Sequence, residues 1–309
     1  MNIKTGINSP QIKDFGGAID PCEVDIIELG LDRMDFLDEQ KEKELLSKTA
    51  YLASSFGTEF TIHAPHIDSR IEGLKIDFST NNEKNFTVME KVVKVAAEIG
   101  AGYIVVHPGS LNGGRKSVNL NILNLIQICS LAEEYGVILL LENLFDREGG
   151  NKIGVLPGEI YRIIEMVDSE NLKINLDIGH AFIASNVYGL SIEDYFELGG
   201  FIHQMHLHDN FGVLESEATM FGDRHLPLGQ GKINFGEVFK NIRKTNTRNL
   251  ILEVKNSARE DTLKSLAQIR EFCNLRYCLK PPAIIHYYPE QRFEGVQTTP
   301  NFYPEQFSS

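Results

Sequence analysis

Short apolar runs alternate with longer segments of helical periodicity along most of this chain, and this alternation restricts the fold more than any other feature. The apolar runs predict strands at Ile3–Ile7, Asp25–Leu29, Phe60–His63, Tyr103–His107, Val137–Glu142, Lys173–Asp177, Gln204–His208 and Asn249–Val254. The clearest predicted helices are Lys41–Phe56, Glu83–Ile99, Asn119–Tyr135, Pro157–Val167, Phe235–Lys244 and Asp261–Cys273. Strands that alternate with helices of about 10–15 residues indicate βαβ units and a parallel sheet.

Eight such units favour a single-domain α/β fold, the closed (β/α)8 TIM barrel, and the 309 residues exceed the roughly 250 of a typical barrel. An open Rossmann-like sheet with added segments is the alternative, but no GxGxxG motif follows the first predicted strand. We expect the barrel domain to span residues 1–279. Residues 280–309 are rich in proline and aromatic residues, which predicts an irregular C-terminal extension that packs on the barrel or on a neighbouring subunit of a homo-oligomer.

Charge and cysteine usage narrow the class of protein. The net charge of −13 repels phosphate backbones and disfavours general nucleic-acid binding, although a local basic rim would be compatible with it. The four cysteines are scattered, which predicts a reducing compartment. Because no apolar leader or long apolar span is present, we expect a cytoplasmic location and no membrane partner.

The polar residues at the ends of the predicted strands carry the chemistry. Six consecutive strands finish with, or close to, a potential metal ligand: His63, His107, Glu142, Asp177, His206 and Glu253. Any one of them alone would be read as a hydrogen-bonded surface residue. In a barrel, however, the carboxyl ends of all strands meet on one face, and carboxylates that converge there are costly unless a cation pairs with them. The sequence therefore predicts a divalent-metal site.

The donor types indicate which ions the site would take. The primary cluster is predicted to consist of Glu142, Asp177, His206 and Glu253, and oxygen donors with one imidazole suit Mn²⁺, Mg²⁺, Co²⁺ or Zn²⁺. His63 and His107 could form a second site with Glu142 as a bridge. His180, Asp223 and His225 could bind a third ion, or could instead bind substrate or support the other ligands. We expect roughly one to three ions per chain, Zn²⁺ or Mn²⁺ first among them.

Several further residues are candidates for substrate binding, with solvated surface positions as the alternative. They are His66, His208, Arg224, Lys232 and Lys255. His66 lies in the loop after the third strand, His208 lies on the same strand face as His206, and the three cations could hold a phosphate or a hydroxyl group. Glu28, at the end of the second strand, is a weaker candidate.

The motifs HAP, VVHPGS, LLLEN, LDIGHAF, HLHDN, DRHLPLGQGKI and LILEV, from about Ile3 to Cys273, resemble the xylose-isomerase-like TIM-barrel superfamily. In its isomerase and epimerase branch, the resemblance implies one divalent ion held by Glu142, Asp177, His206 and Glu253. Glu142 and Glu253 would be the catalytic acid–base pair on opposite faces of a sugar or sugar phosphate. The ion would lower the cost of the enediolate charge.

The endonuclease IV branch is the alternative, in which a trinuclear zinc centre would cleave abasic DNA. All the matching ligand positions are present here: His63, His107, Glu142, Asp177, His180, His206, Asp223, His225 and Glu253. Two departures count against it. His66 stands where the nuclease has the aromatic residue of its wedge, and the segment after His206 lacks the nuclease's Asn-Asp-Ser/Ala-Lys run. We therefore expect an isomerase or epimerase first, a phosphodiesterase second, and a non-catalytic metal-bound barrel third.

Overall fold

The predicted strands form a closed barrel in a computed structural model that describes residues 3–146, 150–212 and 223–276. Its eight parallel strands follow one another in chain order around the barrel. They are β1 Lys4–Asn8, β2 Ile26–Gly30, β3 Glu59–His63, β4 Tyr103–Val106, β5 Ile138–Glu142, β6 Leu172–Asp177, β7 Ile202–Leu207 and β8 Asn249–Leu252. Pairing of β1 with β8 closes the ring, so the prediction of a (β/α)8 barrel is confirmed.

Helices cover the outside of the barrel. They are α1 Glu39–Phe56, α2 Glu83–Ile99, α3 Arg115–Glu134, α4 Pro157–Val167, α5 Ile178–Tyr188, α6 Phe235–Asn241 and α7 Arg259–Arg276. Their buried faces pack on the strands and form one large apolar core, and a small second cluster consists of Tyr103, Val105 and Leu140. Parallel strands that are covered on both faces are apolar throughout, which explains why the sequence shows short apolar runs rather than alternation.

Local signals fix the ends of the helices. The Asn82 side chain accepts a hydrogen bond from the Lys84 backbone N–H and caps α2. Gly57 and Gly100 end α1 and α2 with positive φ angles of 69° and 71°, a conformation that glycine adopts without the steric cost of a Cβ atom. These residues set the short turns that return the chain to β3 and β4.

The strand register decides which side chains meet at the carboxyl face. Asp177 on β6 lies beside His206 on β7, and Glu142 on β5 lies beside Asn175 on β6. Three predicted strands, β4, β7 and β8, end earlier at this face than expected. Because β4 ends at Val106 and β8 ends at Leu252, His107 and Glu253 lie at the first loop positions of this face.

Other differences from the predictions are local. The prediction omitted α5, and the predicted helix Phe235–Lys244 ends as a 3-10 turn over Ile242–Lys244. The proposed extension at 280–309 lies outside the described residues. Within the described ranges, none of the helices combines the length and the apolar character that crossing a bilayer requires.

Candidate metal centre

A cavity of about 470 Å³ opens at the carboxyl ends of the strands. Most of the predicted ligands line it: His63, His107, Glu142, His180, Asp223, His225 and Glu253. Asp177 and His206 lie beneath it and are fully buried. The structure thus brings together, on one face, all the side chains that the sequence proposed as ligands.

Glu142 is at the centre of this arrangement. Its Oε1 atom lies 3.3 Å from His107 Nε2 and 3.4 Å from His180 Nδ1. Its Oε2 atom lies 3.2 Å from His206 Nδ1 and 3.7 Å from His63 Nε2. The Asn175 side-chain amide donates a hydrogen bond of 2.9 Å to Oε2 and holds the carboxylate in place. Each oxygen faces a different set of imidazoles, which is the geometry of a bridging ligand.

Two groups of donors share Glu142. The first, which we call the histidine-pair group, consists of His63, His107 and Glu142. The second, which we call the central group, consists of Glu142, Asp177 and His206. Glu253 adjoins the central group, because its Oε2 atom lies 3.2 Å from His206 Nδ1. Within each group the donor atoms lie within 4.8 Å of one another.

A further group, which we call the four-donor group, consists of His180, His208, Asp223 and His225. The ring tautomers of two of its members are fixed by backbone carbonyls: His180 Nδ1 lies 2.9 Å from Asn143 O, and His225 Nδ1 lies 3.1 Å from Glu253 O. With the proton on Nδ1, the Nε2 lone pair of each ring faces Asp223. Metal-binding histidines commonly have this pattern.

The backbone brings Asp223 and His225 together in a way that the sequence did not indicate. In an extended chain, residues two positions apart point to the same face. Instead, His225 has a positive φ angle of 48°, and this bend brings its Nε2 atom to 3.0 Å from Asp223 Oδ2. The two side chains meet as predicted, but through a left-handed residue rather than through strand geometry.

The carboxylates and imidazoles of the site shift one another's pKa values. Burial alone would raise the pKa of the Glu142 carboxyl, but His107 and His206 hold it well below its usual range. The Glu253 pKa is likewise held well below its usual range against burial, by His225 and His206. Burial alone would lower the pKa of His206, but Glu28 and Glu142 raise it well above the ordinary value. Both glutamates are therefore anionic at neutral pH.

The residues fit a bound divalent ion. Several buried polar atoms of the site have no hydrogen-bond partner: His107 Nε2, Asp177 Oδ2, His206 Nδ1 and Nε2, His208 Nδ1 and Asp223 Oδ1. Buried polar atoms are normally satisfied, and an ion is one of the partners that explains an exception. The mixture of imidazole nitrogens and carboxylate oxygens suits Zn²⁺ or Mn²⁺.

The predicted substrate-binding residues divide into two sets. His66 and Lys255 line the cavity, and the His66 ring stacks on His107 with their centroids 4.3 Å apart. Arg224 and Lys232 are not among the cavity-lining residues, and each lies 6.0 Å from the centroid of the Phe211 ring.

His208 is fully buried and lies in the four-donor group rather than on the cavity wall. Room for its ring comes from Gly179, where an added Cβ atom would lie 2.0 Å from His208 Cε1. The sequence showed that His208 shares a strand face with His206, but it did not show which group of donors the ring would join.

Sequence reasoning undervalued Glu28. It was expected to contact substrate or solvent, yet its side chain is buried, and Oε1 lies 2.9 Å from His206 Nε2. The contact is too poorly aligned to count as a hydrogen bond. Gln204 and Thr61 both donate to Glu28 Oε2, at 2.7 and 3.3 Å. The available signal was a carboxylate inside the apolar run of β2, which is costly unless it is paired.

A closed (β/α)8 barrel with histidine and carboxylate side chains gathered at its strand ends is the architecture of a TIM-barrel protein with a candidate metal centre. The family model of xylose isomerase-like TIM barrels matches residues 21–272, and the chain belongs to this family. An uncharacterized protein of Methanocaldococcus jannaschii, MJ1311, is 30% identical over 72% of this chain and 73% of its own length.

Two other similarities carry names of activities. A probable endonuclease 4 of Mycoplasma mobile is 30% identical over 59% of this chain and 65% of its own length. The crystal structure of a D-tagatose 3-epimerase-like protein superposes with a TM-score of 0.69 at 26% identity, covering 88% of this chain and 98% of that one. Proteins similar to this chain thus include one named as epimerase-like and one named as a probable endonuclease.

Proposed function

We propose that this protein is a divalent-metal-dependent isomerase or epimerase that acts on a small sugar or sugar phosphate by proton transfer through an enediolate. One observation carries the proposal: Glu142 and Glu253 approach the same atom, His206 Nδ1, each at 3.2 Å. Two anionic carboxylates that flank one donor position at a cavity are the arrangement that two-base proton transfer requires.

The side chains have distinct roles in this mechanism. A divalent ion in the central group would supply positive charge beside the carbonyl and hydroxyl oxygens of the sugar. Glu253, whose side chain is 16% exposed, faces the cavity and would remove the proton from the carbon next to the carbonyl. Glu142, which is anionic in the resting site, would take up a proton from water and deliver it to the other face of the same carbon. Positioned acid–base groups of this kind are worth about 10²–10⁴-fold in rate.

The cavity is suited to a small substrate. Its volume of about 470 Å³ is within the roughly 300–1,000 Å³ usual for small-molecule sites. Lys255 and Arg70 line the cavity as well, and either cation could hold a phosphate group or a hydroxyl. His66 lies in the loop after β3, and its imidazole stacks on His107 in the cavity.

A second candidate function is hydrolysis of a phosphodiester in DNA, as in the relatives named endonuclease 4. The observation that favours it is the presence of several adjoining groups of donors, four among the described residues, of which two share Glu142 and two share Asp177. Several ions about 3.5–4 Å apart stabilise the attacking and leaving oxygens of a phosphoryl transfer. Phosphodiester hydrolysis would require every ion near the phosphate to keep an open coordination position.

The test compares turnover of the two substrate classes by the full chain loaded with Mn²⁺ or with Zn²⁺. We expect ketoses or their phosphates to exchange one carbon-bound hydrogen with D₂O, which NMR detects, and abasic-site DNA to remain intact. Glu142→Gln should abolish the exchange with the fold retained. Glu237→Gln, a surface glutamate of α6, is the matched control.

The outcomes separate the candidates. Exchange in the Glu142→Gln variant at the wild-type rate would refute the acid–base role. Cleavage of abasic DNA without any ketose exchange would establish the phosphodiesterase. Metal binding without turnover of either substrate would leave the non-catalytic barrel as the function.

A further inference from the structure

The four-donor group holds more protein donors than an ion that takes part in catalysis normally has. Metal ions that act on substrate keep an open position beside three protein ligands, whereas structural zinc sites are closed by four. His180, Asp223 and His225 alone would be an open site. His208 is the additional donor, and its ligand atom lies within 4.8 Å of the other three.

The distances within the group lie within about 0.3 Å of those around one tetrahedral ion. With metal–ligand bonds of about 2.0–2.2 Å, neighbouring donors of a tetrahedral ion lie about 3.3–3.6 Å apart. The Asp223 carboxylate lies 3.8 Å from His180 Nε2, 3.6 Å from His208 Nε2 and 3.0 Å from His225 Nε2. All three imidazoles therefore converge on one carboxylate through the same ring nitrogen.

The position of His208 is built into the fold. The side chain is fully buried, and its ring stacks on His225 with their centroids 4.0 Å apart. The ring occupies the space that a side chain at position 179 would fill, so Gly179 is required for it to reach the group. Its Nδ1 atom is buried and has no hydrogen-bond partner, whereas Nε2 faces the carboxylates of Asp177 and Asp223.

We propose that the four-donor group is a closed metal site in which His208 is the fourth protein ligand. Its ion has no position for substrate and instead fixes the segment after residue 222 against β6 and β7. The inference rests on the metal-binding part of the proposed function and deepens it. An ion in a closed site cannot contact a phosphate, so the reaction on a small sugar is then favoured over phosphodiester cleavage.

The alternative role of His208 lies on its other side, where it forms a further group of donors with Asp177 and Glu253 and supports Asp177, because its Nε2 atom lies 3.2 Å from Asp177 Oδ1. The two roles differ in magnitude. Loss of a residue that supports a ligand typically costs 10–100-fold in metal affinity, whereas loss of a ligand from a closed site costs more and opens a coordination position. The experiment therefore measures both the retention of the ion and its accessibility.

The full chain is loaded with Co²⁺, treated with excess EDTA, and followed by elemental analysis and visible absorption. We expect one ion per chain to be released far more slowly than the rest. Its tetrahedral absorption bands should not change when inorganic phosphate is added. In His208→Asn the slow ion should leave more than about 100-fold faster, and before it leaves, its bands should respond to phosphate. His203→Asn, which removes a buried histidine from the opposite end of β7, is the control.

Three results would overturn the inference: no slowly released ion in the wild type, phosphate-sensitive bands of the retained ion, or a release rate in His208→Asn within 100-fold of the wild type. The wild-type measurements decide the matter even if the variant does not fold. A slow, phosphate-insensitive ion without any sugar turnover would leave this inference standing and refute the proposed reaction. Sugar turnover by a protein whose ions all exchange rapidly would refute the closed site and leave the proposed reaction standing.

Discussion

Glu28 is a buried carboxylate that orients the imidazole of His206 without belonging to the central group itself. Its Oε2 atom already accepts hydrogen bonds from Gln204 and Thr61, which leaves Oε1 to face His206 Nε2. A proton on Nε2 leaves the lone pair of the imidazole on Nδ1, the atom that faces the carboxylates of the central group. Carboxylate–histidine pairs of this kind fix the ring tautomer of metal ligands.

The Glu28→Gln substitution tests this role. If the amide oxygen accepts from Gln204, the amide nitrogen faces His206 Nε2–H, so one of the two contacts is lost whichever way the side chain turns. We expect Mn²⁺ or Zn²⁺ affinity to fall about 10–100-fold, with the circular dichroism spectrum unchanged. Calorimetric titration measures the affinity, and Asp32→Asn at the cavity rim is the control. Equal affinities of Glu28→Gln and wild type would show that Glu28 has no orienting role.

At the scale of elements, one aspartate holds residues 226–233, the part of the chain that leads into α6. Asp209 is fully buried and accepts hydrogen bonds from the backbone N–H groups of Gly229, Gly231 and Ile233 at 2.8–3.1 Å. Its own backbone forms a bridge with Leu226. Because Leu226 directly follows the last member of the four-donor group, the same clamp determines where that group sits.

Asp209→Asn should loosen this loop. An amide supplies one acceptor oxygen where the carboxylate supplies two, so at least one buried backbone N–H loses its partner, at a cost of about 1–3 kcal/mol. We expect the free energy of unfolding in urea, measured with EDTA present, to fall by about that amount. Asp194→Asn, which alters an exposed helix cap, should have less than half the effect. A stability equal to that of the wild type would show that the clamp contributes nothing to the loop.

The elements also show which parts of the structure the sequence could predict. The strands were recognisable because strands covered on both faces are apolar, and their polar ends marked the ligands. Helix α5 was not recognisable from the sequence, because it is buried on most sides and lacks the periodicity of a surface helix. Its buried residues include Ile178, Ala181, Ile183 and Ala184. The apolar run of β2 indicated that Glu28 needs a partner, but it could not identify His206, because the two residues lie on strands that are distant in the chain.

At the scale of the whole molecule, the end of the barrel opposite the candidate metal centre carries a buried histidine that makes stability depend on pH. His203, at the start of β7, lies 3.4 Å from the Tyr103 hydroxyl. Burial, together with Arg248 and Lys173, lowers the pKa of His203 from 6.5 to about 4. Between these two values the unfolded chain binds more protons than the folded one, so this histidine makes the fold less stable as pH falls through that window.

Replacing His203 with Gln should remove this dependence. A pKa shift of one unit corresponds to about 1.4 kcal/mol, so the penalty at pH 5 is on the order of 1–2 kcal/mol and is absent at pH 7.5. We therefore expect the unfolding free energy of His203→Gln, relative to wild type, to be higher at pH 5 than at pH 7.5 by about that amount. The unfolding free energies are measured by urea titration in the presence of EDTA, so that release of a metal ion does not contribute to the difference. Tyr103→Phe, which removes the hydroxyl and leaves the imidazole, should show no such pH-dependent gain. If both variants track the wild type at the two pH values, His203 is already protonated in the folded barrel at pH 5, and the penalty assigned to its burial does not exist.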